Sequence, residues 1–181
     1  MVTHLEMRTR PAVSAESSVQ GWSVARIEQP SVDWFRDIYR RIGTDWLWFM
    51  RLRMPRDKLA ALLAEPAREF YALRADGSDE GLIELHLVHP GACDLAFFGV
   101  TPELIGRGAG RFLMNHAIAL AWSQPIERFV VNTCSFDHPG ALRFYMRSGF
   151  VPIRRQVELV DDPRIDGTLP RDAAPQVPII Q

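Results

Sequence analysis

The sequence predicts a mixed α/β fold, with antiparallel and parallel strand pairs in one sheet and helices on its faces. Three strand-like segments, at 69–74, 81–88 and 93–100, follow one another with only tight turns between them, and strands joined in this way pair antiparallel. From there to residue 160 helices and strands alternate, and a strand–helix–strand crossover brings two strands together in parallel. A chain of 181 residues suits one such domain.

The part of the chain before these strands is predicted to be mainly helical. Residues 1–20 have little periodicity, and residues 22–27 alternate as a short strand. An amphipathic helix is predicted at 31–42, because Ser31 can cap its start and a glycine follows its end. Two further helical segments follow, an aromatic one at 45–51 and another between two prolines at 55–66.

The part after the three strands predicts a helix at 108–122, a strand at 127–133, a short helix at 139–148 and a last strand at 153–160. Residues 161–181 contain four prolines and no period, so we expect an extended tail. The predicted organisation is an N-terminal extension (1–20), a domain (21–160) and a Pro-rich tail (161–181).

Composition and charge argue against several classes of function. A net charge of -1 does not suggest the basic surface that nucleic acid requires, and no apolar run is long enough to span a membrane. Cys93 and Cys134 form no framework of spaced pairs, so we expect a reducing cytoplasm. His86 and His89 lack partners at ligand spacing, so we expect no metal site.

A glycine-rich segment follows the third strand, where the predicted helix at 108–122 begins. Glycines let backbone N–H groups approach an anion closely, and the start of a helix adds unpaired N–H groups and a positive dipole end. We therefore predict a cradle for a diphosphate group. It would be formed by Gly106, Arg107, Gly108, Ala109, Gly110 and Arg111.

Other glycine-rich sites fit this segment less well. A nucleotide P-loop needs Lys and Ser or Thr after its last glycine, and both are missing here. A dinucleotide fingerprint would need a third glycine where Arg111 stands. A structural turn without a ligand is the alternative that the segment alone leaves open.

Two motifs resemble those of the GNAT acetyltransferase superfamily. Gly108 and Gly110 match the acetyl-CoA motif Gln/Arg-x-x-Gly-x-Gly/Ala, whereas Ile105 stands where that family usually has Gln or Arg. Residues 138–150 resemble its Asn-x-x-Ala-x-x-x-Tyr-x-x-x-Gly-Phe signature. Ala141, Tyr145, Gly149 and Phe150 match this signature, and His138 replaces the asparagine.

The resemblance covers roughly residues 69–160 and implies a GNAT fold, a mixed, mostly antiparallel sheet with flanking helices. It also implies that acetyl-CoA donates an acetyl group to a primary amine, on a small molecule or a peptide, by direct attack. The residues implied to bind the donor, beyond the cradle, are Phe98, Gly99, Val100, His138 and Tyr145.

Tyr145 is implied to be the general acid, because the family places this tyrosine beside the CoA sulfur. A phenol is protonated at neutral pH and so can donate. Backbone N–H groups of 98–100 are implied to stabilise the oxyanion. The alternative for Tyr145 is a core position, since it shares a helix face with Ala141 and Ser148.

Two acidic residues are candidate general bases. Asp94 aligns with the catalytic glutamate of the histone-acetyltransferase branch, although aspartate is one methylene shorter and would need a water to relay the proton. Glu84 and His86 share a face of the preceding strand, and a three-residue hairpin loop would bring that face beside Asp94, whereas a two-residue loop would not. For each candidate the alternative is a solvated or salt-bridged strand residue.

The sequence leaves four alternatives open. Cys134 and His138 are four residues apart, yet a buried structural cysteine is the more common arrangement. The aromatic run 46–49 either lines an acceptor pocket or packs in the core. A non-catalytic acyl-CoA-binding or sensory domain is the alternative function, and a homodimer formed through the tail is left open.

Overall fold

The computed structural model describes residues 1–12, 21–88 and 91–180, and His89 lies outside them. Over these residues the fold is one mixed sheet of seven strands with helices on both faces, which confirms the predicted fold class. The strands are β1 (Val2–Met7), β2 (Trp22–Arg26), β3 (Arg68–Ala75), β4 (Ser78–Val88), β5 (Ala92–Val100), β6 (Arg128–Cys134) and β7 (Val151–Gln156). The helices are α1 (Val32–Gly43), α2 (Met50–Arg53), α3 (Arg56–Leu63), α4 (Ala109–Ala121) and α5 (Ala141–Arg147), with short 3₁₀ helices at Thr44–Trp46 and Pro102–Leu104.

The strand order across the sheet is β2-β3-β4-β5-β6-β1-β7. The consecutive strands β3, β4 and β5 pair antiparallel, as predicted from the tight turns between them. β5 and β6 pair in parallel, because the chain between them crosses over through α4.

β1 corrects the prediction that residues 1–20 form an extension with little periodicity. Val2–Met7 pairs antiparallel with both β6 and β7, so it lies between them inside the sheet. Leu5 and Met7 are buried, while His4 and Glu6, which alternate with them along the chain, are partly exposed, as expected for a strand. Residues 13–20 of the predicted extension lie outside the described residues.

The helices cover the two faces of the sheet. α1, α2 and α3 cover one face, where Phe35 and Leu59 pack on Phe70 of β3. α4 and α5 cover the other, where Leu113 packs in the cluster that contains Leu95 of β5.

The start of α1 is capped as predicted, because Ser31 Oγ accepts a hydrogen bond from the N–H of Trp34. The helical segment predicted at 45–51 is instead a 3₁₀ turn and the short helix α2. Leu47 between them has a positive φ of 54°, which interrupts the helix.

The chain after β7 corrects the prediction of an extended tail. It forms a series of turns, and Leu169, Ala173 and Ala174 pack against Leu47. Arg164 is buried at the centre of these turns. The tail therefore folds onto the segment between α1 and α2.

Candidate active site

The cleft that carries the site begins where β5 and β6 separate. The parallel pairing runs from Ala92 opposite Arg128 to Leu95 opposite Val131, and the two strands diverge beyond it. A cleft of about 430 Å³, here called the central cleft, lies at this divergence. Its lining includes the predicted residues Phe98, Gly99, Val100, Gly106, Gly110, His138 and Tyr145.

β5 carries a β-bulge at the edge of this cleft. Leu85 lies opposite Leu95 and Glu84 lies opposite Phe97, so Ala96 is the extra residue. Beyond the bulge, the N–H of Thr101 donates to the carbonyl oxygen of Glu80 at 3.0 Å.

N–H groups alternate in direction along a strand, so the N–H groups of Phe98 and Val100 point away from β4. They face the side on which β6 has diverged. The structure therefore offers two backbone donors toward the central cleft, both within the predicted range 98–100.

The predicted cradle follows the 3₁₀ turn after β5. Gly106 and Gly108 have positive φ values of 79° and 89°, which a residue with a side chain adopts only with strain. A Cβ at either position would meet no atom within 4 Å, so the backbone here faces open space.

The N–H groups of the cradle are free. Ile105 and Arg107 each donate to a backbone carbonyl, and the first helical hydrogen bond of α4 runs from Phe112 to Gly108. In the part of the chain that the structure describes, five N–H groups of this segment have no hydrogen-bond acceptor. They belong to Gly106, Gly108, Ala109, Gly110 and Arg111.

Two cations flank the cradle. The side chains of Arg107 and Arg111 are exposed, and neither forms a salt bridge with any of the described residues. Free amides, a helix N-terminus and two arginines together suit a phosphate-bearing ligand.

Tyr145 lies on α5 and is 8% exposed. Its ring contacts the edge of Phe98 at 6.3 Å between centroids, and Phe144 and Phe150 pack beside it. Its hydroxyl group has no hydrogen-bond partner among the described residues, and the side chain lines the central cleft. Burial raises the pKa of Tyr145, and the charge of Asp137 adds to the effect, so the phenol stays protonated at neutral pH.

Asp137 is a cleft residue that sequence analysis missed. Its Oδ2 accepts hydrogen bonds from Thr133 Oγ1 at 2.8 Å and from the N–H of Cys134 at 2.7 Å. Its Oδ1 accepts from Trp48 Nε1 at 3.2 Å. The available signal was its position just after β6, since aspartate side chains often accept N–H groups in turns.

The sequence profile of the acetyltransferase (GNAT) family matches residues 32–150. The chain belongs to this GNAT family. The match covers α1 to α5, and so includes β5, the cradle and Tyr145.

Several solved structures share the GNAT fold with this chain. An aminoglycoside acetyltransferase from an uncultured soil metagenomic sample, in complex with sisomicin, is 12% identical with a TM-score of 0.63, and the alignment covers 78% of this chain and 95% of that one. Aminoglycoside N-acetyltransferase AAC(6')-Iy in complex with CoA is 14% identical with a TM-score of 0.58, and the coverage is 77% and 94%.

A GCN5-related N-acetyltransferase from Sphaerobacter thermophilus is 11% identical with a TM-score of 0.65. The alignment covers 87% of this chain but 53% of that protein, so this chain spans about half of its length. No curated protein matches the chain. At these identities the likeness concerns the fold.

The GNAT chain does not bring its two predicted bases into the central cleft. Val88 pairs with Ala92 and His86 lies opposite Asp94, which is the register expected for the three-residue alternative. Neither Asp94 nor Glu84 lines the cleft. Both lie on the sheet face that α1 to α3 cover.

Glu84 is a salt-bridged strand residue, which was the alternative to its role as a general base. It is fully buried, and its Oε1 accepts from Arg68 Nη1 at 2.6 Å and from Arg51 Nη2 at 2.8 Å. Burial and, to a smaller extent, the charge of Glu84 raise the pKa of Asp94 to about 6, while Arg68 and Arg51 oppose the shift.

Cys134 and His138 do not form a nucleophile–base pair. Burial raises the pKa of the Cys134 thiol, and the charge of Asp137 adds to the effect, which disfavours the thiolate. His138 Nδ1 accepts the N–H of Gly140 at 3.0 Å, and its ring stands edge-on to Trp46. No hydrogen bond joins the two side chains within the described residues.

The aromatic run 46–49 lines the central cleft. Trp48 lies against two glycines, since a Cβ on Gly43 would stand 2.4 Å from Trp48 Cβ and one on Gly99 would stand 3.4 Å from its ring. Tyr39 and Phe97 pack on the same indole at 5.3 and 5.4 Å between centroids. The run therefore acts both as packing and as a wall of the cleft.

Among the described residues, no helix combines the length and apolar character needed to cross a bilayer. The same residues contain no group of three or more potential metal ligands close enough to hold an ion.

Proposed function

We propose that this GNAT protein transfers the acetyl group of acetyl-CoA to a primary amine by direct attack. The observation that carries the proposal is the central cleft itself. Its lining combines the unpaired amides of β5, the free amides of Gly106 and Gly110 from the glycine-rich cradle and the unpartnered hydroxyl of Tyr145.

Donor binding would use the cradle and the separated edge of β5. The free N–H groups of Gly108 to Arg111, at the N-terminus of α4, suit the diphosphate of CoA, and Arg107 adds positive charge beside them. Ile105 contributes no polar side chain here, so donor affinity depends on the backbone.

The reaction has three requirements. The neutral amine attacks the thioester carbon, and the oxyanion that develops is stabilised by N–H groups such as those of Phe98 and Val100. The carbon–sulfur bond then breaks, and Tyr145 donates its proton to the leaving thiolate. The amine nitrogen releases one proton, so the products are an N-acetyl amine and free CoA thiol.

Proton removal from the amine is assigned to Asp94 through water. Its pKa of about 6 lies near the pH of the cell, which suits a general base. Glu84 is less suited, because two guanidinium groups hold its carboxylate. Since Asp94 lies outside the cleft lining, this assignment requires water to carry the proton from the amine to the Asp94 carboxylate.

The proposal also places the protein in the cytoplasm. Cys93 and Cys134 are both free thiols, which suits a reducing compartment.

The test is release of CoA thiol from acetyl-CoA in the presence of a panel of primary amines, with the N-acetyl product identified by mass. We expect turnover with at least one amine. If acetyl-CoA raises the melting temperature but no amine is acetylated, the protein is a non-catalytic acyl-CoA-binding domain instead.

A further inference from the structure

Much of the lining of the central cleft is apolar. Six of its apolar side chains, here called the acceptor end, belong to Trp46, Trp48, Phe49, Met50, Phe136 and Val160. Met50, Phe136 and Val160 are 59%, 39% and 55% exposed. Exposed apolar side chains that gather in one place usually mark a binding surface.

The charged side chains of the cleft lining are few and acidic. Within the described residues, the lining contains no lysine or arginine, and its carboxylates are Asp137 and Glu158. The lining also includes Met1, whose ammonium group donates to Ser135 Oγ at 3.0 Å. Asp137 already accepts three hydrogen bonds, whereas Glu158 is exposed beside the acceptor end. This suits a ligand with one cationic group, and it offers little to a ligand with several.

The aromatic wall is held in place from several sides. Trp48 is fixed by Gly43, Gly99 and its hydrogen bond to Asp137. Trp46 stands against the ring of His138 at 5.2 Å between centroids. A rigid aromatic wall favours a flat or branched apolar group, and it can also accept a cation over a ring face.

The tail begins beside the central cleft. Glu158 and Val160 line the cleft just before the tail folds back and packs on Leu47. The volume of about 430 Å³ is within the range of small-molecule sites, so a small acceptor suits the cleft.

We propose that the acceptor is a small primary amine with a single ammonium group on an aromatic or branched apolar body. This rests on the proposed acetyl transfer and specifies its substrate class. The apolar body would lie against Trp46 and Trp48, and the amine would point toward Tyr145 and the β5 amides. Polyamines and aminoglycosides carry several ammonium groups and would be poor acceptors.

The experiment compares 2-phenylethylamine with spermine and sisomicin, using the 181-residue chain and acetyl-CoA. We expect kcat/KM for 2-phenylethylamine to exceed that for either polycation by a factor of about ten or more, which corresponds to about 1.4 kcal/mol. Equal or greater turnover of the polycations overturns the inference.

A binding measurement distinguishes failure of this inference from failure of the proposed function. In the presence of CoA, tryptophan fluorescence should report binding of 2-phenylethylamine and little binding of spermine. Binding without turnover would refute the acetyl transfer and leave the acceptor class standing. Absence of both binding and turnover of 2-phenylethylamine overturns the acceptor class.

A charge variant provides a matched control. Val160→Asp adds a carboxylate at the acceptor end, and Leu159→Asp adds one next to it at an exposed position outside the cleft lining. We expect Val160→Asp to raise the ratio of spermine to 2-phenylethylamine turnover about fivefold, as one added surface ion pair would. Leu159→Asp should leave the ratio unchanged, and an equal rise in both variants contradicts the inference.

Discussion

The indole N–H of Trp48 donates a hydrogen bond of 3.2 Å to Oδ1 of Asp137, and this bond joins two walls of the central cleft. Trp48 belongs to the segment between α1 and α2, and Asp137 follows β6, whose divergence from β5 opens the cleft. The other carboxylate oxygen of Asp137 holds the end of β6 through Thr133 and Cys134. Asp137 therefore couples the aromatic wall to the strand on the other side.

Trp48→Phe should weaken acceptor binding and leave donor binding nearly unchanged. The substitution removes the N–H and leaves a gap beside Gly43 and Gly99, at a cost of about 1–3 kcal/mol in unfolding free energy. We expect the KM for the amine to rise about fivefold, the result of losing about 1 kcal/mol of binding energy. Trp34→Phe is the control, since Trp34 Nε1 also donates to an aspartate, Asp79. An equal rise in KM in both variants would exclude a specific role of Trp48 in acceptor binding.

Tyr145→Phe should lower kcat by a factor of about 10² to 10⁴, the range for loss of a general acid. The affinity for acetyl-CoA should change little, because the ring still packs against Phe98 and Phe150. The matched control is Tyr71→Phe, which removes a phenol that donates to Glu69 outside the central cleft. Unchanged turnover in Tyr145→Phe would exclude the hydroxyl from the mechanism.

Gly108→Asp should abolish binding of acetyl-CoA, because it places a carboxylate among the amides that suit a diphosphate. Gly108→Asn is the matched control. It has nearly the same size and shares the strain of a positive φ, which asparagine tolerates best after glycine, but it carries no charge. Isothermal titration with CoA should show a loss at least tenfold greater for Asp than for Asn. Equal affinities would show that charge at this position is not sensed by the ligand.

Asp94→Asn should stabilise the fold at neutral pH while it lowers turnover. The pKa of Asp94 is about 6 in the folded protein, above the value of about 3.9 expected in the unfolded chain. The folded state therefore binds the proton more tightly, and stability from this group is lost as pH rises from about 4 to about 6.

Since asparagine carries no charge, we expect a gain of about 1–2 kcal/mol at pH 7.5 and none at pH 4. Urea unfolding at both pH values measures this gain, with exposed Asp172→Asn as the control. A variant that is no more stable at pH 7.5 would contradict the shifted pKa. A variant that keeps full turnover would exclude Asp94 as the base.

Arg164→Ala should release the tail from the segment beside the acceptor end. Arg164 is 4% exposed, pairs with Asp162 at 2.6 Å and donates to the carbonyl oxygens of Ala173 and Val177. Its removal leaves these buried acceptors unpaired, at a cost of about 2–4 kcal/mol.

We expect the melting temperature to fall and the KM for the amine to rise, while the affinity for CoA stays within twofold of the unmodified protein. Arg171→Ala, at an exposed position of the same tail, is the control. If the Arg164 variant keeps its melting temperature, the tail is not held by this side chain.

The strands and the helix in the middle of the chain were predictable. β3, β4 and β5 are short runs rich in apolar residues that are separated by turn residues, and α4 has an amphipathic pattern, so local sequence decides them. β1 was missed because only Leu5 and Met7 mark its buried face strongly, and its stability comes from two neighbours that lie far away in sequence. The turns of the tail have no period, since a buried arginine and a few small side chains hold them.

The candidate site was predictable where backbone geometry defines it. Glycines at 106, 108 and 110 indicate a cradle without reference to the rest of the fold. The bulge at Ala96 carries no such signal, and it moves Glu84 opposite Phe97. The role of Asp137 depends on Trp48, which is 89 residues distant, and a contact of that kind has no local pattern.

The position of β1 has a consequence for how the chain folds as it is made. β1 is synthesised before the other described strands, yet it pairs with β6 and β7, which are synthesised after β2 to β5. At about 5–20 residues per second, β1 waits several seconds or longer for its first partner. A nascent chain halted before Arg128 should therefore remain sensitive to proteolysis within β1, even where other parts of the sheet have already formed.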